Sequence, residues 1–244
     1  MSQLVDAIIV HQVSTKEELV KQSVNEKLIY VIPHGTEILK EIDKTEAMRK
    51  LDLPENGKII LSFGFFGKQK SKELIVEALP NVLMEVPNAY VFFSGYVRDW
   101  VQEDFETRKL YEEKAKELGV VDQVIFAKRY IPDEEIYSVF NSSDVVVFTY
   151  LQKWYSGSGS LHLGIGSFKP IVVSKIPKFE EVPKDISKRL VFNPNDPSKL
   201  AKILIKLLVD NHFRESIIEK VKSYALKTSW DMVATNHMQV YKVV

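Results

Sequence analysis

The stretch that decides the fold runs from residue 154 to residue 173 and reads WYSGSGSLHLGIGSFKPIVV. Its small residues predict a loop, the next apolar residues predict a short helix, and Pro170 opens an apolar strand. A continuously apolar strand, residues 144–150, comes directly before it. Such a strand–loop–helix–strand unit aims free N–H groups and the positive end of a helix dipole at the carboxyl edge of a parallel sheet. The stretch therefore predicts an anion-binding site.

The rest of the chain alternates between strand and helix patterns from Lys58 onward. Strands are predicted at 58–63, 89–93, 123–127, 144–150, 170–174 and 189–192. Helices are predicted at 72–84, 100–118, 133–140, 213–226 and 230–243, with a further helix that begins at Asp196-Pro197, a capping carboxylate followed by proline. Helices of this length between short apolar strands indicate right-handed crossovers. The predicted fold class is α/β with a doubly wound parallel sheet.

The first part of the chain has a different texture. Strand patterns at 6–11 and 28–32 flank a helix pattern at 15–24, and a charged amphipathic stretch follows at about 36–51. The segment Pro33-His34-Gly35, which interrupts these patterns, is the expected domain boundary. We therefore predict a unit of residues 1–33, too small to be a domain alone, and a main domain of residues 34–244.

Composition excludes several classes of function. Lysine plus arginine and aspartate plus glutamate each number 33, so no global field favours nucleic acid. There is no cysteine, and no apolar run approaches the roughly 20 residues of a spanning helix. We expect a cytoplasmic protein without a transmembrane segment, a metal site or a resident cofactor. The lysine- and glutamate-rich composition hints at a heat-adapted source.

Several motifs fall in an order known from one family. The motifs are VIPHG at 31–35, LSFGFFGKQKS at 61–71, IPDEE at 131–135, KPIVV at 169–173, DP at 196–197 and SW at 229–230. Together they resemble the donor-binding, C-terminal half of the family-four retaining glycosyltransferases, which have the two-domain GT-B fold, and the ordered set spans residues 5–244.

The resemblance implies a fold and a reaction. The main domain would be a single Rossmann-like, nucleotide-sugar-binding domain that includes the C-terminal helices, and residues 1–33 a remnant of an otherwise missing acceptor domain. The reaction would transfer a hexose from a nucleoside-diphosphate sugar with retention, without a metal. Because the acceptor domain is missing, a homodimer or a separate subunit is expected to supply the acceptor site.

The chain departs from the family pattern at its signature pair of glutamates, which would fall at Tyr155 and Leu163. In the family these carboxylates contact the donor sugar and the ribose hydroxyls. A lost charged hydrogen bond weakens binding roughly ten- to a hundred-fold. A non-catalytic module that binds nucleotide or serves as a scaffold therefore remains an alternative, as does another nucleotide-sugar enzyme such as an epimerase.

The lysine-rich loop after the strand at 58–63 is the first candidate for phosphate binding. By resemblance, Lys70 stabilises the leaving diphosphate, because negative charge accumulates there during transfer. The arginine of the family pattern is replaced by Phe65 or Gly67, and Lys68 is its expected substitute. Gly67, Lys68 and Lys70 are thus predicted to bind the diphosphate; the alternative is a solvated loop. The spacing does not match a Walker loop.

The Ser/Gly loop is the second candidate. Its backbone N–H groups and hydroxyls would meet the other phosphate, and the residues involved are Ser156, Gly157, Ser158, Gly159 and Ser160. The alternative is a flexible turn, since such runs are common in loops. The pattern lacks the third glycine of a dinucleotide fingerprint, because His162 stands in that place.

Three further residues are predicted to contact the nucleobase or the sugar. Arg129 and Tyr130 follow a strand where the family backbone meets the base, with a capped strand end as the alternative. Tyr155 would stack on or hydrogen-bond the sugar, with plain packing as the alternative. We interpret His34 as a structural part of the linker and His162 as a satisfied core residue.

Overall fold

The computed structural model describes residues 5–98, 100–151 and 156–243. Its strands form a two-stranded sheet and a six-stranded sheet, and all pairings are parallel. The small sheet contains β1 (Ile8–Val10) and β2 (Ile29–Val31). The large sheet contains β3 (Lys58–Ser62), β4 (Ala89–Phe93), β5 (Val124–Phe126), β6 (Val145–Phe148), β7 (Ile171–Ser174) and β8 (Val191–Phe192).

Helices connect these strands and complete the chain. They are α1 (Val13–Lys21), α2 (Lys44–Lys50), α3 (Glu73–Glu85), α4 (Gln102–Glu117), α5 (Ile136–Asn141), α6 (Gly159–Gly166), α7 (Pro197–Val209), α8 (Asn211–Lys227) and α9 (Trp230–Tyr241). The predicted start of α7 is confirmed: Asp196 accepts a hydrogen bond from the N–H of Lys199 at 2.8 Å, and Pro197 is the first helical residue.

The strand order of the large sheet is β5-β4-β3-β6-β7-β8. Counted from β3, this is the 3-2-1-4-5-6 order of a Rossmann-like sheet, whose topological switch point lies between β3 and β6. The predicted α/β class with a doubly wound parallel sheet is confirmed. Ligands of such sheets bind outside the carboxyl ends of the strands at the switch point, so the fold itself indicates where to look for a site.

The central strands are apolar along their whole length because helices cover both faces of the sheet. Residues 59–61 and 145–148 are buried, as are residues 171–173. Helices α3 and α7 contact each other and bury apolar faces against the sheet, through residues such as Leu79 and Leu204. The large core therefore rigidly positions the loops at the switch point.

A second, smaller core lies where the chain crosses between the two sheets. Ile32, Val233 and Val240 form it, and side chains of the small sheet, such as Ile9, pack against it. Helix α9 thus packs on the small sheet although it comes last in the sequence. The domain boundary near residue 33 remains a prediction.

The amphipathic stretch expected at 36–51 is helical only over α2. The residues before α2 run along α6 and the end of α8 instead: the N–H of Leu39 donates to the carbonyl of Gly166 at 3.0 Å, and that of Thr36 to the carbonyl of Thr228 at 2.7 Å. These tertiary partners satisfy backbone groups that a longer helix would have used. Asp43 then caps α2 by accepting from the N–H of Glu46 at 3.0 Å.

No helix of the described residues combines the length and the apolar character needed to cross a bilayer.

The contact between α6 and the segment before α2 provides a stability test. A Cβ at Gly166 would overlap the carbonyl oxygen of Glu37, whereas a Cβ at Gly164 would meet its nearest atom, in Phe148, at 3.4 Å. We expect Gly166→Ala to lower the free energy of unfolding by about 2 kcal/mol or more, because the backbone must move apart. The measurement is urea denaturation followed by circular dichroism.

Gly164→Ala is the matched control, since it lies on the same helix and adds the same methyl group. Its stability should change by less than about 1 kcal/mol, because a better helix former offsets a tight contact. Equal stability of the two variants would contradict the close packing of residue 37 on α6.

Candidate active site

A crevice opens at the switch point, beyond the carboxyl ends of β3 and β4. Its volume is about 270 Å³. Residues from the loops after β3, β4 and β5 and from α6 line it, including Gly64, Lys70, Ser94, Gly95, Tyr130, Ile131, Asp133, Ser160 and Leu163. This is the edge at which the sequence predicts anion binding.

Lys70 and Ser160 converge over Gly64. A Cβ placed on Gly64 would lie 3.4 Å from Nζ of Lys70 and 3.8 Å from Oγ of Ser160. Ser160 lies in the first turn of α6, where backbone N–H groups have no acceptor within the helix. An ammonium group, a hydroxyl and the positive end of a helix dipole therefore face one small space. This arrangement suits an anion such as a phosphate.

Glycine is required at the floor of this space. Gly64 has a φ of +90°, a region that favours glycine. A Cβ at Gly95 would overlap the carbonyl oxygen of Gly64, so the loops after β3 and β4 touch through bare backbone. The same carbonyl accepts a hydrogen bond from Nζ of Lys72.

The three lysines of the loop have different surroundings. Lys72 is buried, which lowers its pKa well below the usual value for lysine, and its Nζ donates to the carbonyls of Phe63 and Gly64. Lys68 turns to α4: its N–H donates to Glu103 at 2.9 Å, and its Nζ lies 3.5 Å from Glu106. Of the three, Lys70 alone is seen to line the crevice in the described part of the chain.

The electrostatic setting of Lys70 is unusual for a lysine. Burial, together with the positive charges of Arg98 and Lys178, lowers its pKa from 10.5 to about 8, although Asp104 opposes the shift. Burial disfavours the charged ammonium, and like charges add to that effect. An anion placed beside Lys70 would favour the charged ammonium and so offset both the burial and the repulsion by like charges.

The backbone ties this lysine to the neighbouring strand. Gly67 accepts from the N–H of Lys70 at 2.9 Å, which closes a tight turn, and the hydroxyl of Thr149 donates to the carbonyl of Lys70 at 2.7 Å. Thr149 directly follows β6. The position of Lys70 is thus set from both sides of the switch point. Gly67 contributes by accepting the hydrogen bond that closes the turn, not by lining the crevice.

The predicted Ser/Gly loop divides into two parts. Ser158 caps α6, since its hydroxyl accepts from the N–H of Leu161 at 3.3 Å. The earlier part faces the other way: Nζ of Lys178 lies 3.3 Å from Oγ of Ser156 and from the carbonyl of Gly157. The structure therefore brings Ser160 to Lys70 and holds residues 156–157 against Lys178.

Glycines in this loop also make room for histidines. A Cβ at Gly157 would lie 3.1 Å from Cβ of His11, and a Cβ at Gly159 would lie 3.6 Å from Nε2 of His34. His34 donates through Nδ1 to the carbonyl of Gly35 at 2.7 Å and packs against the ring of Trp230. Part of the glycine content thus serves packing of the N-terminal segment on the loop.

His162 lies beneath this loop and is buried. Its Nε2 donates to Glu181 at 3.2 Å, and its Nδ1 lies 2.7 Å from the hydroxyl of Thr36. Both ring nitrogens have partners inside the protein. This placement agrees with the interpretation of His162 as a satisfied core residue.

The residues predicted to contact the base or the sugar differ in their position relative to the crevice. Tyr130 lines the crevice, whereas Arg129 is exposed and pairs with Glu135. Tyr155 lies outside the described residues. Leu163 lines the crevice, so one position of the missing glutamate pair faces it with an apolar side chain.

An aromatic groove of about 470 Å³ continues from the crevice and shares Phe65 and Tyr130 with it. Arg98 also lines this groove, and its guanidinium lies 4.6 Å from the ring centre of Phe65. Buried Asp104 holds that guanidinium with two hydrogen bonds of 2.8 Å. A fixed cation therefore stands at the mouth of the crevice.

Sequence reasoning missed four residues that shape this site. Gly64 and Gly95 each come shortly after a strand of the sheet, so their position at the carboxyl edge is a usable signal. Arg98 and Lys178 have no such signal, because their roles depend on Asp104 and on the Ser/Gly loop, which only the fold brings near. Among the described residues, no group of three or more His, Asp or Glu side chains is arranged to hold a metal.

The fold and the crevice define a Rossmann-like domain with a cationic crevice at its topological switch point. The model of the family "Glycosyl transferases group 1" matches residues 43–224. The chain belongs to this family.

Proteins with similar sequences align with this chain over only part of their own length. An uncharacterised glycosyltransferase of Methanocaldococcus jannaschii is 28% identical over 205 residues, which are 82% of this chain and 49% of the relative. A D-inositol 3-phosphate glycosyltransferase of Corynebacterium urealyticum is 25% identical over 221 residues, 88% of this chain and 51% of the relative. The chain thus spans about half the length of these curated relatives.

A solved structure shows the same fold over the whole chain. The HepE protein of Anabaena, in complex with UDP and glucose, aligns with a TM-score of 0.80 at 16% identity. The alignment covers 99% of this chain and 63% of that protein. The expected likeness to half of a GT-B glycosyltransferase is confirmed.

The lowered pKa of Lys70 predicts a pH dependence of anion binding. Lys70 is protonated below about pH 8 and loses its charge above it. Phosphate groups are already ionised over this range. Affinity for a nucleoside diphosphate should therefore fall about eightfold between pH 7.5 and pH 9.0, if binding requires the charged lysine. Isothermal titration calorimetry at the two pH values measures the change.

Lys70→Arg is the control, because a guanidinium stays protonated throughout this range. Its affinity should change little between the two pH values. An equal loss of affinity in wild type and Lys70→Arg would show that another group titrates.

Proposed function

We propose that this chain is the donor-binding half of a retaining glycosyltransferase that transfers a hexose from a nucleoside-diphosphate sugar. The observation that carries the proposal is the convergence of Lys70 Nζ and Ser160 Oγ over Gly64, at the N-terminus of α6. This is where a Rossmann-like sheet binds phosphates. Family membership supplies the type of reaction.

Lys70 would act on the leaving group. As the bond between the sugar carbon and the diphosphate oxygen breaks, its electron pair moves onto the diphosphate. A preorganised ammonium beside that oxygen stabilises the growing charge more than it stabilises the substrate. The free N–H groups at the start of α6 would receive the same charge. Arg98, clamped by Asp104, supplies a second fixed cation nearby.

The other end of the crevice suits the nucleoside. Tyr130, Ile131 and Asp133 line it, which provides an aromatic ring, an apolar side chain and a hydrogen-bond acceptor. HepE has the same fold, and its structure contains UDP. A nucleoside diphosphate lying from Tyr130 to Lys70 would fill the crevice along its length.

A second candidate function is a non-catalytic module that binds nucleotide. The observation that favours it is Leu163, which presents an apolar side chain where family members carry a carboxylate. Such a module would bind a nucleoside diphosphate and turn over no donor.

An acceptor-binding surface would pack on the small sheet and α9 under this proposal. Both expose apolar side chains, which include Val31 at 37%, Met238 at 53% and Tyr241 at 60% exposure. Met238 and Tyr241 are three residues apart and share one side of α9. An acceptor-binding subunit, or a second copy of this chain, would cover these side chains and the edge of the small sheet.

Binding of nucleotides tests both candidates, and turnover of the donor separates them. We expect UDP, GDP or ADP to bind wild type, and Lys70→Ala to weaken that binding roughly ten- to a hundred-fold through loss of a charged hydrogen bond. The measurement is calorimetry with each nucleotide and then with its sugar. Lys68→Ala is the matched control, because this lysine faces α4; its affinity should equal that of wild type.

Hydrolysis of the donor by wild type that disappears in Lys70→Ala would support the glycosyltransferase function. Binding without turnover, even with acceptors and a partner supplied, would favour the non-catalytic module. If no nucleotide binds wild type, both candidates fail.

The exposed face of the small sheet predicts self-association when no partner is present. We expect light scattering at high micromolar concentration to give a dimer, because the apolar face and the open sheet edge gain from being covered. Met238→Lys with Tyr241→Lys, which lie on one side of α9, should return the chain to monomer. A clean wild-type monomer would contradict the homodimer.

A further inference from the structure

A basic pocket lies far from the candidate active site, at the opposite edge of the large sheet. Its volume is about 260 Å³. Five cationic side chains and three apolar ones line it: Lys188, Arg189, Lys199, Lys202 and Lys206, with Val191, Ile203 and Phe213. We call these residues the basic pocket. No carboxylate is among the described residues that line it.

Helix periodicity explains how one helix supplies three of these charges. Lys199, Lys202 and Lys206 are spaced three and four residues apart, so they share one face of α7. The turn before β8 adds Lys188 and Arg189 from the side. The cations therefore surround a concave space and do not form a single line.

Phe213 forms an aromatic wall of the pocket and is buried. Nζ of Lys206 lies 4.9 Å from its ring centre, and the guanidinium of Arg189 lies 5.9 Å from it. Both cations can thus rest on one ring while keeping N–H donors free for a ligand.

The charges of the basic pocket are not neutralised within the described parts of the chain. No ion pair there includes any of its five cations, whereas Lys44, Lys58 and Arg98 elsewhere pair with aspartates. The acids at the ends of α7, Asp196 and Asp210, are used as helix caps. In a chain with no net charge, this pocket is a local concentration of positive potential.

The pocket is separate from the crevice at the switch point. It lies beside β8, the outermost strand on one side, whereas the crevice lies beyond β3, β4 and β5. A ligand held here does not contact Lys70 or Ser160. The inference therefore stands independently of the proposed function.

We propose that the basic pocket binds a small ligand that carries two or more phosphate groups. Cations on several sides of a concave space match separate phosphates of one molecule, each able to accept charge-assisted hydrogen bonds. A flat anionic surface would engage the α7 lysines and leave the depth of the pocket unfilled. Charged side chains can also protect an edge strand such as β8 from pairing with another chain. That role would explain Lys188 and Arg189, which lie next to β8, but not the lysines on α7.

Tripolyphosphate is the probe for this site, measured by calorimetry. The Lys70→Ala variant is the starting protein, because it removes the cation that lines the crevice. We expect it to bind one equivalent, and Lys202→Glu with Lys206→Glu added to weaken this binding about a hundred-fold or more, since each lost charged contact is worth roughly tenfold or more. These lysines are exposed, so the fold should persist, which circular dichroism checks.

Lys109→Glu with Lys116→Glu on α4 is the control, because it makes the same change in net charge on another face. It should leave the affinity for tripolyphosphate within about twofold. Equal losses in the two double variants would overturn the proposal, since the effect would then come from net charge. The absence of binding to Lys70→Ala would overturn it as well.

Sedimentation with vesicles of phosphatidylcholine containing phosphatidylglycerol distinguishes a lipid headgroup from a free ligand. We expect no sedimentation of the chain at physiological salt. Binding to these vesicles that the α7 double variant abolishes, without binding of tripolyphosphate, would overturn the small-ligand proposal in favour of a membrane surface.

Discussion

The contact between the loops after β3 and β4 is the constraint on which the crevice depends. The two loops touch through Gly64 and Gly95, and no side chain fits between them. The carbonyl of Gly64 accepts a hydrogen bond from the buried Nζ of Lys72, which fixes the loop from below. Lys70, two residues earlier in the same turn, is thereby held over Gly64 and opposite Ser160. The fold thus separates a structural lysine from one that is free to meet a ligand.

Positive charges held close together are common to the two basic regions of the molecule. The chain has equal numbers of acidic and basic residues, and many of its cations are paired. Lys70 is held beside further positive charge, which lowers its pKa. The basic pocket gathers five cations with no carboxylate among its lining residues. Keeping like charges together costs stability, and a bound anion would recover that cost at each place.

Much of the fold follows from the sequence, because apolar strands and amphipathic helices alternate without a break from Lys58. The capped start of α7 and the short helix α6 are also local features. The segment before α2 is not a local feature, since its backbone hydrogen-bonds to α6 and to the end of α8, which only the fold brings near. At the site, Lys70, Tyr130 and Ser160 follow strands of the sheet, so topology alone brings them together. Lys68 and Arg129 turn away because acids on neighbouring elements capture them, Glu106 on α4 and Glu135 beside α5.

The most direct measurement is a crystal structure of this chain with a bound nucleoside diphosphate. The account predicts the diphosphate between Nζ of Lys70 and the first N–H groups of α6, above Gly64, with the base toward Tyr130. A diphosphate bound elsewhere, with Lys70 and Ser160 untouched, would contradict the assignment of the crevice as the donor site.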